Sequence, residues 1–231
     1  MILRRITQHV KEQNWFAVVL DFCIVVLGIL IAFQITIWNE TRRDARDEAA
    51  LNVRLLEEFT ALEELLEERI VRAEKITTST SKLIEMIRAD ESAGMAPDAK
   101  QYLTDAFRYN AQIPQPMTYS EAIQSGRIGK IGNRNLRRVL NEYNLSTDWW
   151  NTVRGAASPQ NDPNSKLRQA VSVQSGIKVP SFEILDYNWT LLLQAEKELS
   201  VIQRQQTLQA EGYRLELIAV KNVLVELENA K

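Results

Sequence analysis

Few residues in this chain are of a type and placement that do chemistry, and the most exposed to consequence is Asp21. It stands inside the 24-residue run Trp15–Trp38, WFAVVLDFCIVVLGILIAFQITIW, where every residue but Asp21, Gln34 and Thr36 is apolar or glycine. A carboxylate in hydrocarbon costs roughly 2.5–3.5 kcal/mol and turns toward a partner or water. Six residues past Trp15, it would lie roughly 9 Å inside. Helical steps of 100° set Asp21, Val25, Gly28 and Ala32 on one narrow face, with Cys23 and Gln34 opposite. Gly28 and Ala32 form a small-xxx-small pair, which permits close approach of another helix. Three readings of this face stand together: an interfacial carboxylate kept wet or neutral, a helix-packing surface, or an ion- or proton-coupling site.

Other candidate chemistry is weaker. Glu57, Glu58, Glu63, Glu64, Glu67 and Glu68 crowd one stretch. The pairs Glu63/Glu67 and Glu64/Glu68 lie one turn apart, a spacing that suits a cation or a solvated acidic face. A dimetal site of the ferritin kind needs Glu-x-x-His motifs, and the single histidine, His9, is in the N-terminal tail. Arg127, Lys130, Arg134, Arg137 and Arg138 make a basic cluster, a possible partner surface that could equally dock on the acidic stretch or stay solvated. The glycines around Gly126-Arg127-Ile128-Gly129-Lys130-Ile131-Gly132 do not match a phosphate loop, since the lysine precedes Ile131 and no strand leads in. Trp149, Trp150 and Trp189 read as core packing or anchors for a partner. One tail histidine and one cysteine cannot build a nucleophilic triad. The expectation is a non-enzymatic protein without cofactor or metal.

The elements that carry these residues are helical. Eight glycines and six prolines in 231 residues argue for long uninterrupted helices, and a net charge of −2 makes no case for nucleic acid. The apolar run spans roughly 36 Å as a helix, enough to cross hydrocarbon about 30 Å thick, with Trp15 and Trp38 as interface anchors. No small-residue cleavage site follows it, so it is expected to stay attached as an anchor. Residues 1–14 form a short basic tail expected in the cytoplasm, residues 15–38 the transmembrane helix, and residues 39–231 a helical domain exported to the periplasm. Cys23, the only cysteine, allows no intrachain disulfide.

Within that domain, apolar residues recur at Leu51, Leu55, Phe59, Leu62, Leu66, Ile70, Ala73, Ile84 and Ile87, predicting a stalk helix over residues 39–90. Capping helices are expected over 97–180: one over 97–110, one opened by a Thr118/Glu121 capping box and closed at Gly126, one from about Asn133 to Val153, and one over 165–174. A final helix is expected over 186–230, with Leu199, Gln206, Tyr213, Val220 and Leu227 in heptad phase. The predicted fold is all-α: a transmembrane helix running on into the stalk, packed antiparallel against the C-terminal helix and capped by short helices.

The segment VVLGILIAFQITIWNE with its following arginines (residues 25–43) resembles the membrane signature of a bacterial family of single-pass proteins of unknown function. TYSEAIQSG (118–126) and LRRVLNEYN (136–144) resemble that family too, although its members often read T-Y-E-E-L where this chain has Thr118-Tyr119-Ser120-Glu121-Ala122. The resemblance implies a single span with an early acidic residue, here Asp21, and a helical extramembrane domain in the bacterial inner membrane. The partners implied are the lipid bilayer and other membrane or periplasmic proteins, with a homo-oligomer among the possibilities. A short tail, one span with an early aspartate and a periplasmic domain also look like the rod subunits of proton-driven motors, which makes an ion-coupled subunit using Asp21 the alternative. A periplasmic ligand sensor is a third class.

Overall fold

Between Ile29 and Arg88 there is neither glycine nor proline, and helix α1 runs unbroken over Trp15–Arg88. The computed structural model describes residues 15–89, 97–108, 113–153, 162–175 and 182–230. The tail 1–14 with His9, the turn at Ser92–Gly94, Gly155, the loop 158–161, the connector 176–180 and the side chains of Trp15, Trp149 and Trp150 lie outside those residues. The chain divides into two units, Met1–Leu51 and Asn52–Lys231. Among the described residues the first unit is α1 alone.

In the second unit α1 is followed by α2 (Pro97–Ala106), α3 (Met117–Gln124), a 3-10 turn (Arg127–Lys130), α4 (Arg134–Val153) and α5 (Lys166–Gln169). Strands β1 (Val171–Ser175) and β2 (Phe182–Tyr187), α6 (Trp189–Leu193) and α7 (Glu196–Asn229) complete it. The all-α architecture holds, with the long N-terminal helix packed against a long C-terminal one.

Those two helices meet along seams of one period. On α1 the seam is Phe59, Leu62, Leu66, Arg69, Ala73, Ile76, Thr80, Leu83 and Ile87; on α7 it is Leu199, Ile202, Gln206, Gln209, Tyr213, Glu216, Val220, Val223 and Leu227. Steps of three and four alternate in both, the repeat that keeps two supercoiled helices in register. Polar pairs fix the sense: Arg88–Glu196 at 2.8 Å, Gln203 Nε2 donating to Ser81 Oγ at 2.6 Å, Arg214 to Glu74, and Lys221 to Glu67 at 3.1 Å and Glu63 at 3.5 Å. As α1 descends from Arg88 to Glu63, α7 ascends from Glu196 to Lys221. The packing is antiparallel. From Leu55 onward one face of α1 is therefore core of the domain, as expected of a stalk packed against the C-terminal helix.

The short helices are capped from a distance. The expected capping box at Thr118 does not form, because helix α3 starts two residues earlier, at Met117, with Pro116 as its N-cap. Glu58 of α1 takes that role: its carboxylate accepts Thr118 N at 2.9 and 3.1 Å and Thr118 Oγ1 at 2.7 Å. Glu198 of α7 likewise accepts the amides of Lys166 and Leu167 at 3.0 and 2.8 Å, at the start of α5. A carboxylate there answers unpaired amides and the positive end of the helix dipole together. Two other ends follow local rules. Asn133 Oδ1 caps α4 at Asn135 N and Leu136 N, and Gly126 turns left-handed (φ +70°) after α3.

The expected helix over 165–174 is corrected: α5 stops at Gln169, and the chain continues as β1 paired antiparallel with β2. Val171 and Ile184 are buried while Ser172 and Leu185 are exposed, the period of two that a half-covered strand requires. A bulge falls between Ser172 and Val173. The C-terminal helix accordingly begins at Glu196, not residue 186, after Asn188 has capped α6 through Leu191 N (3.2 Å). α2 also ends earlier than expected, at Ala106. Leu83, Leu103, Phe107, Leu167, Ile184 and Leu199 join one apolar cluster beneath the strands.

Removing a distant cap should be costly where removing a neighbouring acid is not. Glu58→Ala leaves the Thr118 amide and hydroxyl without their acceptor and is expected to cost about 1–3 kcal/mol. Glu57→Ala, at an exposed position, should change stability by no more than ~0.5 kcal/mol. Chemical unfolding of the detergent-solubilised chain followed by circular dichroism measures both.

Candidate functional site

In the first unit, side chains of the apolar run from Val18 to Trp38 point into open space. This part of α1 is long and apolar enough to cross a membrane, and none of its most apolar stretch is buried. Asp21, Val25, Gly28 and Ala32 all lie exposed, and a Cβ built on Gly28 would meet nothing within 4 Å. No described side chain therefore fills the small-residue face. Polar groups in the run close on their own helix: Thr36 Oγ1 donates to Ala32 O at 3.0 Å, and Thr41 Oγ1 to Ile37 O at 2.8 Å. Hydrocarbon demands that internal satisfaction. Gln34 sits in a shallow apolar groove with Leu27, Leu30, Ile31, Ile35 and Trp38. The Arg42 guanidinium rests 5.1 Å over the Trp38 ring, so the first cation after the run stacks on its aromatic boundary.

The basic cluster belongs to the second unit. Arg127 Nε donates to Ser125 Oγ at 3.0 Å and its head pairs with Glu121 at 3.6 Å; Arg138 pairs with Glu142 at 2.7 Å. Arg137 donates to Gly129 O at 3.1 Å, tying α4 to the 3-10 turn. Lys130 and Arg134 are exposed beside them. The five cations thus share one surface. Among the described residues its ion pairs are with Glu121 and Glu142, while in the acidic stretch Glu58 holds Thr118 of α3 and Glu63 and Glu67 pair with Lys221 of α7. Glu58, Glu63 and Glu67 are not a purely solvated face, since each holds the partner given above. Hydrogen bonds to Glu74 and Glu67 raise the Arg214 and Lys221 pKa values respectively.

Two buried polar groupings went unread in the sequence. Asp105 on α2, 1% exposed, accepts Ser79 Oγ at 2.8 Å and Gln101 Nε2 at 3.1 Å and pairs with Arg108 at 3.1 Å. Under the capping helices, Phe59, Tyr119 and Tyr143 pack edge to face with centroids 5.0–5.9 Å apart. Tyr119 Oη donates to Leu140 O at 3.0 Å. Tyr143 Oη is buried without a hydrogen-bond partner among the described residues. Burial pushes its pKa upward, and Glu216 and Tyr119 push the same way. The pairs Glu67–Lys221 and Glu74–Arg214 bracket Arg69 and Glu216 along the seam. Among the described residues no three His, Cys, Asp or Glu side chains gather as a metal site.

Tyr143 makes alkaline stability a readout of this layer. Its folded pKa lies above the unfolded value of 10.0, so the neutral phenol's contribution is complete below pH 10 and is lost as pH rises beyond it. Tyr143→Phe should flatten that part of the alkaline limb in unfolding curves; an unchanged limb would remove Tyr143 from the titration. Comparison with protein-family models, with characterised proteins and with solved structures finds no match to this chain.

Proposed function

We propose that this is a single-pass protein of the bacterial inner membrane, with its N-terminus in the cytoplasm and its helical domain in the periplasm, acting without catalysis by binding other proteins and itself. The observation that carries the reading is an apolar helix of spanning length whose most apolar stretch is nowhere buried. Water would charge such a surface roughly 25 cal/mol for each Å² left exposed. The resemblance of residues 25–43, 118–126 and 136–144 to the bacterial single-pass family supports the same architecture. The small-residue face of Asp21, Gly28 and Ala32 is the packing surface in this reading, and the basic surface around Arg127 and Arg134 is the one offered to periplasmic partners. A ligand sensor, the third class, would need a pocket beneath the capping helices, where Phe59, Tyr119 and Tyr143 pack edge to face.

Affinity purification from detergent-solubilised membranes, with mass spectrometry of co-purifying proteins, tests this. The same partners should be recovered with Asp21→Asn, while Gly28→Leu should weaken association of labelled copies in vesicles several-fold. Loss of partners on Asp21→Asn would favour an ion-coupled subunit, and association indifferent to Gly28→Leu would remove the packing face.

A further inference from the structure

Helix α7 has a second seam, on the side away from α1. Val201, Leu208, Leu215, Ile218 and Val225 are between 44% and 56% exposed, although a buried residue of the inward seam lies within two positions of each. Their spacings of seven, seven, three and seven place them at a and d of one heptad, with Asn222 at another a position. We infer that this outward face of α7 pairs with the same face of a second copy of the chain, parallel and in register. The inference rests on the membrane anchoring proposed above.

Several features favour a second copy over other occupants. A strict seven-residue period matches a helix carrying the same period, whereas a lipid surface is met by a broad apolar arc. Here the strip is narrow, with Arg204 and Glu211 at d. In parallel register Leu208, Leu215, Ile218 and Val225 each meet their own copy. Asn222 meets Asn222, whose amide offers both donor and acceptor, and a lone asparagine at a fixes register. The flanks carry no like-charged pair: Arg214 faces Ala219 of the other copy, and Lys221 faces Glu226. At d, Arg204 and Glu211 also meet their own copies, and these two like-charged layers are relieved by laying the stems along the seam with the charges at its rim, where Arg214 of the same helix bonds Glu211 at 2.5 Å.

Size then explains why anchoring matters. From Val201 to Val225 the strip is roughly 36 Å long and about 10 Å wide, or roughly 400 Å² per copy. A standard interface takes about 800 Å² from each partner. Two copies held in one bilayer meet at an effective concentration high enough to make up the difference.

Cysteine cross-linking in native membranes tests the pairing. In a Cys23→Ser background, Leu208→Cys and Leu215→Cys should each give a disulfide-linked homodimer on mild oxidation, at least tenfold more than Val71→Cys, an exposed position off the seam. Adding Ile218→Glu should abolish the Leu208→Cys cross-link. Membrane-bound protein with no dimer, with equal dimer at Val71→Cys, or cross-linked instead to a different protein would overturn the pairing while leaving the anchor intact. Protein found in the aqueous fraction would instead overturn the anchoring, and the pairing with it.

Discussion

Water is a poor solvent for the stretch from Val18 to Trp38, and nothing else in the described chain lies over it. Valines, leucines and phenylalanines lie exposed around its full circumference. The backbone is satisfied within the helix, and the threonine hydroxyls Thr36 and Thr41 turn back onto carbonyls of the preceding turn. That is the chemistry a hydrocarbon environment requires. Polarity returns at once after Trp38, where Asn39, Glu40 and Arg42 follow.

Past Leu51 the same helix is covered along one face. That face becomes the seam against α7, and its polar interruptions are answered in part: Thr80 returns its hydroxyl to Ile76 O and Gln206 Nε2 of α7 reaches Ala106 O at 3.5 Å, whereas Arg69 Nε and Gln206 Oε1 are buried without a partner among the described residues. Such layers contribute little net energy but discriminate among registers. The long helices also serve the short ones. α3 and α5 are too brief to persist alone. Glu58 and Glu198 bind their first amides and hold each against the scaffold. Carboxylates that look like surface charge thereby position the capping layer that carries Arg127, Arg134 and Arg138.

What could be read from residue order alone follows from how local each determinant is. The helix periodicity of α1, the left-handed Gly126 and the asparagine start of α4 are set by neighbours within a turn, and all three were legible. The strands were missed because Val171-Ser172-Val173 and Ile184-Leu185 are too short for a period of two to stand out beside strong helix formers such as Leu167 and Arg168. The caps from Glu58 and Glu198 could not be read, since carboxylate and amide lie 60 and about 30 positions apart. Asp105 was passed over for the same reason: its partner Ser79 is on another helix. Of the candidate surface, the face of Asp21, Gly28 and Ala32 needed only helical geometry, whereas the pairing of Arg137 with Gly129 O needed the fold. The outward seam of α7 was hidden by the stronger inward one, and only burial separates the two.

The lone thiol, Cys23, is exposed on this helix and gives a direct measurement of its surroundings. Eight residues past Trp15, it would sit roughly 12 Å inside the span. Full-length protein in sealed vesicles should resist a membrane-impermeant maleimide at Cys23 and react fully once unfolded in detergent. Equally rapid labelling in intact vesicles and in the unfolded chain would mean that the helix lies in water, contradicting the account at its root.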